Sequence, residues 1–383
     1  MMLNLKKHPY FTEWTDPESG VKSYVLTEKV APLMQSFYFT NSSLSADGKY
    51  LWFYAGFPPS PISSRMLGVV GMDADNPFIR LFPETVFRDC SPLVTPEGDG
   101  VYYAQGSAIW LFRIGHKPEK IMELDGRYIG GRHLFRLSTH LTLSADGKYL
   151  LIDGQVGNQW FVAKGDLETR VIEVINEFPR CYNHAQFSPT DPKLFSAAQD
   201  WWHDPITGRH TFFAQRIWVM DIDKTLCYPI MPKEWVGHGS DACHEWWSRD
   251  GRMCWTDYQK GVFRFNIKTE EKEHVWKRPL CHTHCDSTGR YFCADQSPYT
   301  WHITPCQVLF YDSKTGKETA IASGLPKPTW GRMEYHTDPH PQFSPTDEYI
   351  VYTTTVAEDI TLAICPVAQL LDDETVLRKE SCL

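Results

Sequence analysis

Five of the fifteen histidines in this 383-residue chain occupy one position of a recurring pattern. His140, His184, His244, His282 and His340 each stand three residues before the start of a short turn motif. Asn41 and Ser91 hold the same place in the two other copies. Imidazoles gathered in this way can do two kinds of chemistry. A neutral ring can take a proton as a general base, and the same lone pair can ligate a divalent ion. Two stretches are richer still. His282 and His284 are two apart, as are His336, Asp338 and His340, and residues two apart on a strand share a face. Neutral imidazoles with a carboxylate suit manganese, zinc or a similar ion. The spacing therefore predicts a divalent-metal site on His282, His284 and His340, with His336 or Asp338 assisting. Cys281 and Cys285 flank the pair, but their opposite parity makes them poorer ligands.

Two arginines extend this set. Arg136 lies four residues before His140, so both are expected on one side of one strand. Arg216 opens an apolar run, QRIW at 215–218. A planar guanidinium is well matched to a carboxylate. Two long connections, 200–210 and 297–305, carry Trp201, Trp202 and Trp301. Loops of that length with aromatic side chains are expected to overhang a binding site and stack on a ligand.

The elements that must position these residues follow from the repeat. LSADGKYLWF at 44–53, VTPEGDGVYY at 94–103, LSADGKYLLI at 143–152 and FSPTDPKLFS at 187–196 are four copies. WSRDGRMCWT at 247–256, CDSTGRYFCA at 285–294 and FSPTDEYIVY at 343–352 complete seven. Each joins a strand end to a tight turn of Ser, Pro, Asp or Gly, then opens a β-branched or aromatic run. A period of 38 to 60 residues is that of a four-stranded propeller blade with variable loops. The chain, 1–383, is thus read as one all-β, seven-bladed propeller domain. Its seventh blade lacks a good outer strand, and KSYVLT at 22–27 has no blade of its own, so this segment is expected to close the ring there. The histidine position falls on the innermost strand, which predicts a ring of imidazoles around the central channel.

Composition narrows the partners. A net charge of −9 argues against a general nucleic-acid binder, which needs a basic face, while leaving room for a local basic pocket. No stretch of about 18 apolar residues is present, so no membrane span is expected. The aromatic content of 14 %, with 14 Trp, serves both sheet packing and sugar stacking. Eleven cysteines form no disulfide framework, and Cys254, Cys293 and Cys365 sit in apolar runs. Free core thiols fit a reducing compartment. Residues 1–10 lack the apolar core of a signal peptide. A cytoplasmic location is therefore favoured, with a periplasmic or secreted one if a signal has been removed.

At this point the residues carry a resemblance. NHAQFSPTDP at 183–192, CHEWW at 243–247, HTHCDSTGR at 282–290 and DPHPQFSP at 338–345 resemble the oligogalacturonate lyase and ulvan lyase group of propeller polysaccharide lyases, through nearly the whole chain. The resemblance implies a manganese ion on His282 or His284 together with His340. Asp338 stands where that family has another histidine. Arg216 and His244 resemble its catalytic arginine and histidine. The surroundings of His140 and Arg216 are also similar to ulvan lyases, which use a tyrosine acid/base; Trp201 or Asp200 falls near that place here. The implied reaction is β-elimination at a 4-linked uronic acid. A metal ion and Arg216 neutralise the carboxylate, and His140, His184 or His244 removes the C5 proton. The substrate is an acidic oligo- or polysaccharide, with rhamnosyl-glucuronic acid the single best expectation. Two other readings compete: a rhamnosidase-like glycoside hydrolase on that disaccharide unit, and a non-catalytic propeller that binds partners on its rim.

Overall fold

The fold is that of a computed structural model, which describes residues 3–61, 64–87, 91–204, 207–211, 215–230, 242–296, 306–327, 337–357 and 359–371. Seven small antiparallel sheets stand in a ring, as a seven-bladed β-propeller. Blade one comprises Leu33–Gln35, Tyr50–Gly56, Arg65–Gly71 and Phe78–Phe87, from the channel outwards. Blade two comprises Leu93–Val94, Gly100–Gln105, Ala108–Arg113 and Glu119–Glu123. In blade three the inner strand is broken into Leu134–Leu137 and Thr142–Leu143, both pairing with Tyr149–Val156; Gln159–Asp166 and Val171–Phe178 lie outside. Blade four is Tyr182–Phe187, Leu194–Gln199, Ile217–Asp221 and Cys227–Pro229. Blade five is Ala242–Trp247, Met253–Asp257, Gly261–Phe265 and Lys272–Trp276. Blade six is Thr283–Cys285, Tyr291–Gln296, Cys306–Asp312 and Lys317–Leu325.

The turn motif explains why one sequence pattern builds each blade. In blade one the Ser45 hydroxyl donates to Asp47 Oδ1 at 2.7 Å and accepts the Tyr50 N–H at 3.0 Å. Ser144, Asp146 and Tyr149 repeat the arrangement in blade three. The next backbone position must be left-handed. Gly48 fills it at φ 72°, and in blade seven Asp347 fills it at φ 60°, a conformation that Asp tolerates better than most residues. Between the blades lie apolar layers. One joins blades six and seven through Cys293, Val308, Phe310, Ile350 and Tyr352. The nine described cysteines are free thiols, eight of them buried, as the apolar runs predicted.

Ring closure is as expected, with one addition. Lys22–Leu26 pairs with Thr361–Pro366 of blade seven, Tyr24 opposite Ile364 and Val25 opposite Ala363. Outside it lies a fifth strand, Phe11–Thr15, which the sequence reading did not assign. Blade seven is therefore built from both ends of the described chain, with Tyr349–Thr354 and Gln342–Phe343 towards the channel. Asp16, between the two N-terminal strands, accepts the Ser323 N–H and hydroxyl at 2.7 and 2.8 Å and so ties the closure to blade six. Among the described residues no helix is long and apolar enough to cross a membrane.

Candidate functional site

The inner strands do not run smoothly past the channel. Ladder register shifts between Asn183 and Gln186 and between Cys243 and Trp246, so two residues face one on the neighbouring strand. His184 and His244 sit in these bulges at φ 51°, and His340 has φ 45°. Left-handed backbone at a non-glycine residue costs of order 1–3 kcal/mol and persists where surrounding structure enforces it. A bulge re-aims a side chain, and here it brings histidines from successive blades to one level.

The result is a packed ring. His140 Nε2 lies 2.6 Å from His184 Nδ1. The His244 and His282 rings are 4.1 Å apart, and those of His282 and His340 are 4.2 Å apart. In the middle stands Tyr38, from the segment that follows the inner strand of blade one. Its ring stacks on His140 at 4.8 Å and lies 4.9 Å from His340, 5.6 Å from His282, and within 6.5 Å of His184 and His244. Tyr38 thus takes the axis that blade one leaves when it has Asn41 in place of histidine. Burial, then Glu245 and the thiols of Cys243 and Cys281, pushes its phenol well above the ordinary tyrosine range, so it is neutral. Asn41 spans two neighbouring blades, donating to the Pro92 and Leu141 carbonyls, each at 2.9 Å.

The predicted metal ligands divide. His282, Asp338 and His340 are buried, and each offers a ligand atom within 4.8 Å of the others. Ligand atoms that near one another can share a single ion, whose metal–nitrogen bonds are about 2.1 Å. Asp295 orients the set. Its Oδ2 is 2.9 Å from His282 Nδ1, its Oδ1 accepts the His282 N–H at 2.8 Å, and Oδ2 accepts the His340 N–H at 3.2 Å. With Nδ1 engaged by a carboxylate, Nε2 is the nitrogen His282 would offer an ion. Two imidazoles and a carboxylate fit a divalent transition metal or manganese. His284 lies apart, on the turn side of the ring. Its Nδ1 accepts the Phe343 N–H at 3.1 Å, and it lines a cavity of about 190 Å³ with Phe39, Trp247 and Arg249. Burial, with Arg249 beside it, pushes its pKa down to about 4. His336 falls outside the described residues.

Cys281 reverses its expectation. It precedes the inner strand of blade six, so strand parity does not govern it, and its Sγ is 3.7 Å from His244 Nδ1. His244, Cys281 and His282 form a second convergent group of possible ligands. His244 Nδ1 is 3.0 Å from the Cys281 carbonyl and 3.4 Å from Cys243 Sγ, and its Nε2 is 3.5 Å from Tyr258 OH.

Arg216 is only 5 % exposed. Its Nη1 is 2.8 Å from Asp200 Oδ1 and its Nε donates to Glu245 Oε2 at 3.1 Å. Burial alone would lower its pKa, but Asp200 and then Glu245 outweigh it and hold the guanidinium charged. Two carboxylates thus flank one guanidinium. Arg136 differs: its guanidinium lies over Trp160 at 5.2 Å, and its Nε and Nη2 have no hydrogen-bond partner among the described residues. The break after Leu137, with Ser138 at φ 67°, removes the strand parity expected to align Arg136 with His140. His184 nonetheless feels Arg136: burial, then His140, Arg216 and Arg136, hold its imidazole well below the ordinary histidine range. Trp201 is 58 % exposed, at the foot of a hairpin, Trp202–His203 against His210–Thr211. The side chain of Trp202, and Trp301 with its loop, lie outside what is described.

Sequence reasoning missed Tyr38, Asp295, Glu245 and Tyr258. An aromatic run at 37–39 is the one visible sign of Tyr38. The carboxylates leave none, because each meets its histidine or arginine only across strands.

Comparison with known proteins gives a fold-level answer. No family model matches the chain, and no curated relative matches it. Among solved structures, an oligogalacturonate lyase in complex with manganese is similar over 95 % of this chain and 96 % of its own, with TM-score 0.74 and 17 % identity. The oligogalacturonate lyase of Vibrio parahaemolyticus is similar over 96 % and 97 %, with TM-score 0.73 and 18 % identity. At such identities the likeness establishes the seven-bladed propeller, end to end.

Proposed function

We propose that this chain is a propeller lyase that cleaves a 4-linked uronic acid in an acidic oligo- or polysaccharide by metal-assisted β-elimination. The observation that carries the reading is the convergence of five imidazoles and the buried Asp338 on one level of the channel, with Asp295 orienting the ligand set. The same fold carries manganese in an oligogalacturonate lyase, which supports manganese as the ion; His282, Asp338 and His340 are assigned as its ligands from their convergence here.

The bound ion would withdraw charge from the uronate carboxylate and so acidify C5–H. Arg136 supplies planar donors for that carboxylate, since two of its nitrogens, Nε and Nη2, have no hydrogen-bond partner among the described residues, although the buried Asp153 already feels its charge. Arg216 is held in place by Asp200 and Glu245 and presents donors rather than net charge. His244 is the base. The Cys281 carbonyl can only accept, so the proton of His244 sits on Nδ1 and the lone pair on Nε2. His184, half-buried and kept neutral, is the alternative proton acceptor, with the buried His140 behind it. The exposed Trp201 offers a face for a sugar ring.

The finer substrate proposal is a rhamnosyl-glucuronic acid linkage. The test is a panel of glucuronic- and galacturonic-acid glycans, followed by ultraviolet absorbance and by released reducing sugar. A new conjugated alkene on uronate substrates supports elimination. Release of sugar without that absorbance overturns it in favour of hydrolysis, and no product from any glycan overturns the enzymatic reading.

A further inference from the structure

His282 belongs to two convergent groups at once. One is the oxygen- and nitrogen-bearing set with Asp338 and His340. The other is His244, Cys281 and His282, which brings a thiol. Because Asp295 engages Nδ1, His282 has one nitrogen for coordination, and a single lone pair serves one ion. The two groups therefore cannot both be complete.

Their chemistry differs. Thiolate with imidazole selects soft or borderline ions such as zinc, cadmium and cobalt, while imidazole with carboxylate accommodates manganese. The sulfur–nitrogen separation in the second group matches that around a tetrahedral ion. Bonds of about 2.3 Å to sulfur and about 2.05 Å to nitrogen place those two ligand atoms about 3.6 Å apart, and Cys281 Sγ lies 3.7 Å from His244 Nδ1. Ligation there would replace the contact of Nδ1 with the Cys281 carbonyl, and would move the ring proton to Nε2, where Tyr258 OH at 3.5 Å can accept it. Coordination releases the thiol proton to solvent.

We propose that His244, Cys281 and His282 form a second, thiophilic metal site that shares His282 with the site proposed above, so that a soft divalent ion displaces manganese and takes His244 out of action as a base. The displacement and loss of activity rest on the function proposed above; the soft site does not.

The test uses the full-length, metal-free protein titrated with cadmium, alone and after loading with manganese. Cadmium is expected to produce thiolate-to-cadmium charge-transfer absorption that saturates at one equivalent. The band should vanish in Cys281→Ser and Cys281→Ala and persist in Asp338→Asn. Bound manganese, read by its electron paramagnetic resonance, should be released in step with the band. No band in the wild type, or a band undiminished in both Cys281 variants, overturns the site. A band that grows while manganese stays bound overturns the sharing of His282. If manganese alone never binds but the cadmium band obeys these rules, the manganese reading has failed and the soft site stands.

Discussion

Asp295 and His282 meet across blade six, the carboxylate Oδ2 2.9 Å from the imidazole Nδ1, both side chains buried. The same carboxylate takes the backbone N–H groups of His282 and His340, so one residue sets the orientation of two proposed ligands on two blades. A carboxylate behind a ligating histidine fixes its tautomer and raises its basicity. Asp295→Asn is expected to weaken manganese binding by about 10- to 100-fold, read by calorimetry on metal-free protein. Unchanged affinity would remove Asp295 from the metal site.

The Asp200–Arg216–Glu245 triplet separates charge from geometry. Arg216→Lys keeps the cation and loses the fork. If the fork presents donors to the reacting sugar, the rate should fall about 10²-fold with the fold intact. Arg216→Ala leaves Glu245 buried without its cation and should cost about 3–5 kcal/mol of stability, measured by urea unfolding. Full activity in the Lys variant would assign Arg216 a purely structural place.

Arg136 is the proposed anchor for the uronate. Arg136→Gln should reduce kcat/KM on a free uronate by about 10- to 100-fold, the range of a hydrogen bond to a charged group. On the methyl-esterified substrate, where no anion remains, the two proteins should differ little. Equal losses on both substrates would show that Arg136 supports the fold around Trp160 instead.

His184 makes a pH prediction. Its folded-state pKa is depressed, first by burial and then by His140, Arg216 and Arg136. Below about pH 6.5 the unfolded chain takes up a proton that the folded chain refuses. The unfolded state then binds more protons, and stability falls as pH decreases from that point towards the folded pKa. The gap in unfolding free energy between wild type and His184→Asn should therefore shrink as pH falls below 6.5. A gap that stays constant would mean that His184 is not held neutral by its surroundings.

The sequence by itself determined the ring. Seven turn motifs, each a Ser, Asp or Gly with a local hydrogen-bonding reason, marked seven blades. The surplus strand at 22–27 marked their closure, and a constant offset marked five channel histidines. These signals are local: they lie within about ten residues and repeat, so they survive without knowledge of the fold. Tertiary structure alone decided the chemistry of the centre. Tyr38 reaches the histidine ring from a blade that lacks its own histidine. Glu245 meets Arg216 from 29 residues away. His284, two residues from His282, falls to the other side of the ring, while Cys281, given the wrong parity, turns towards His244. The physical reason is the same in each case. Strand parity holds only while the ladder is regular. The inner strands are short, broken or bulged at the channel, and there packing between blades, rather than period two, sets where a side chain points.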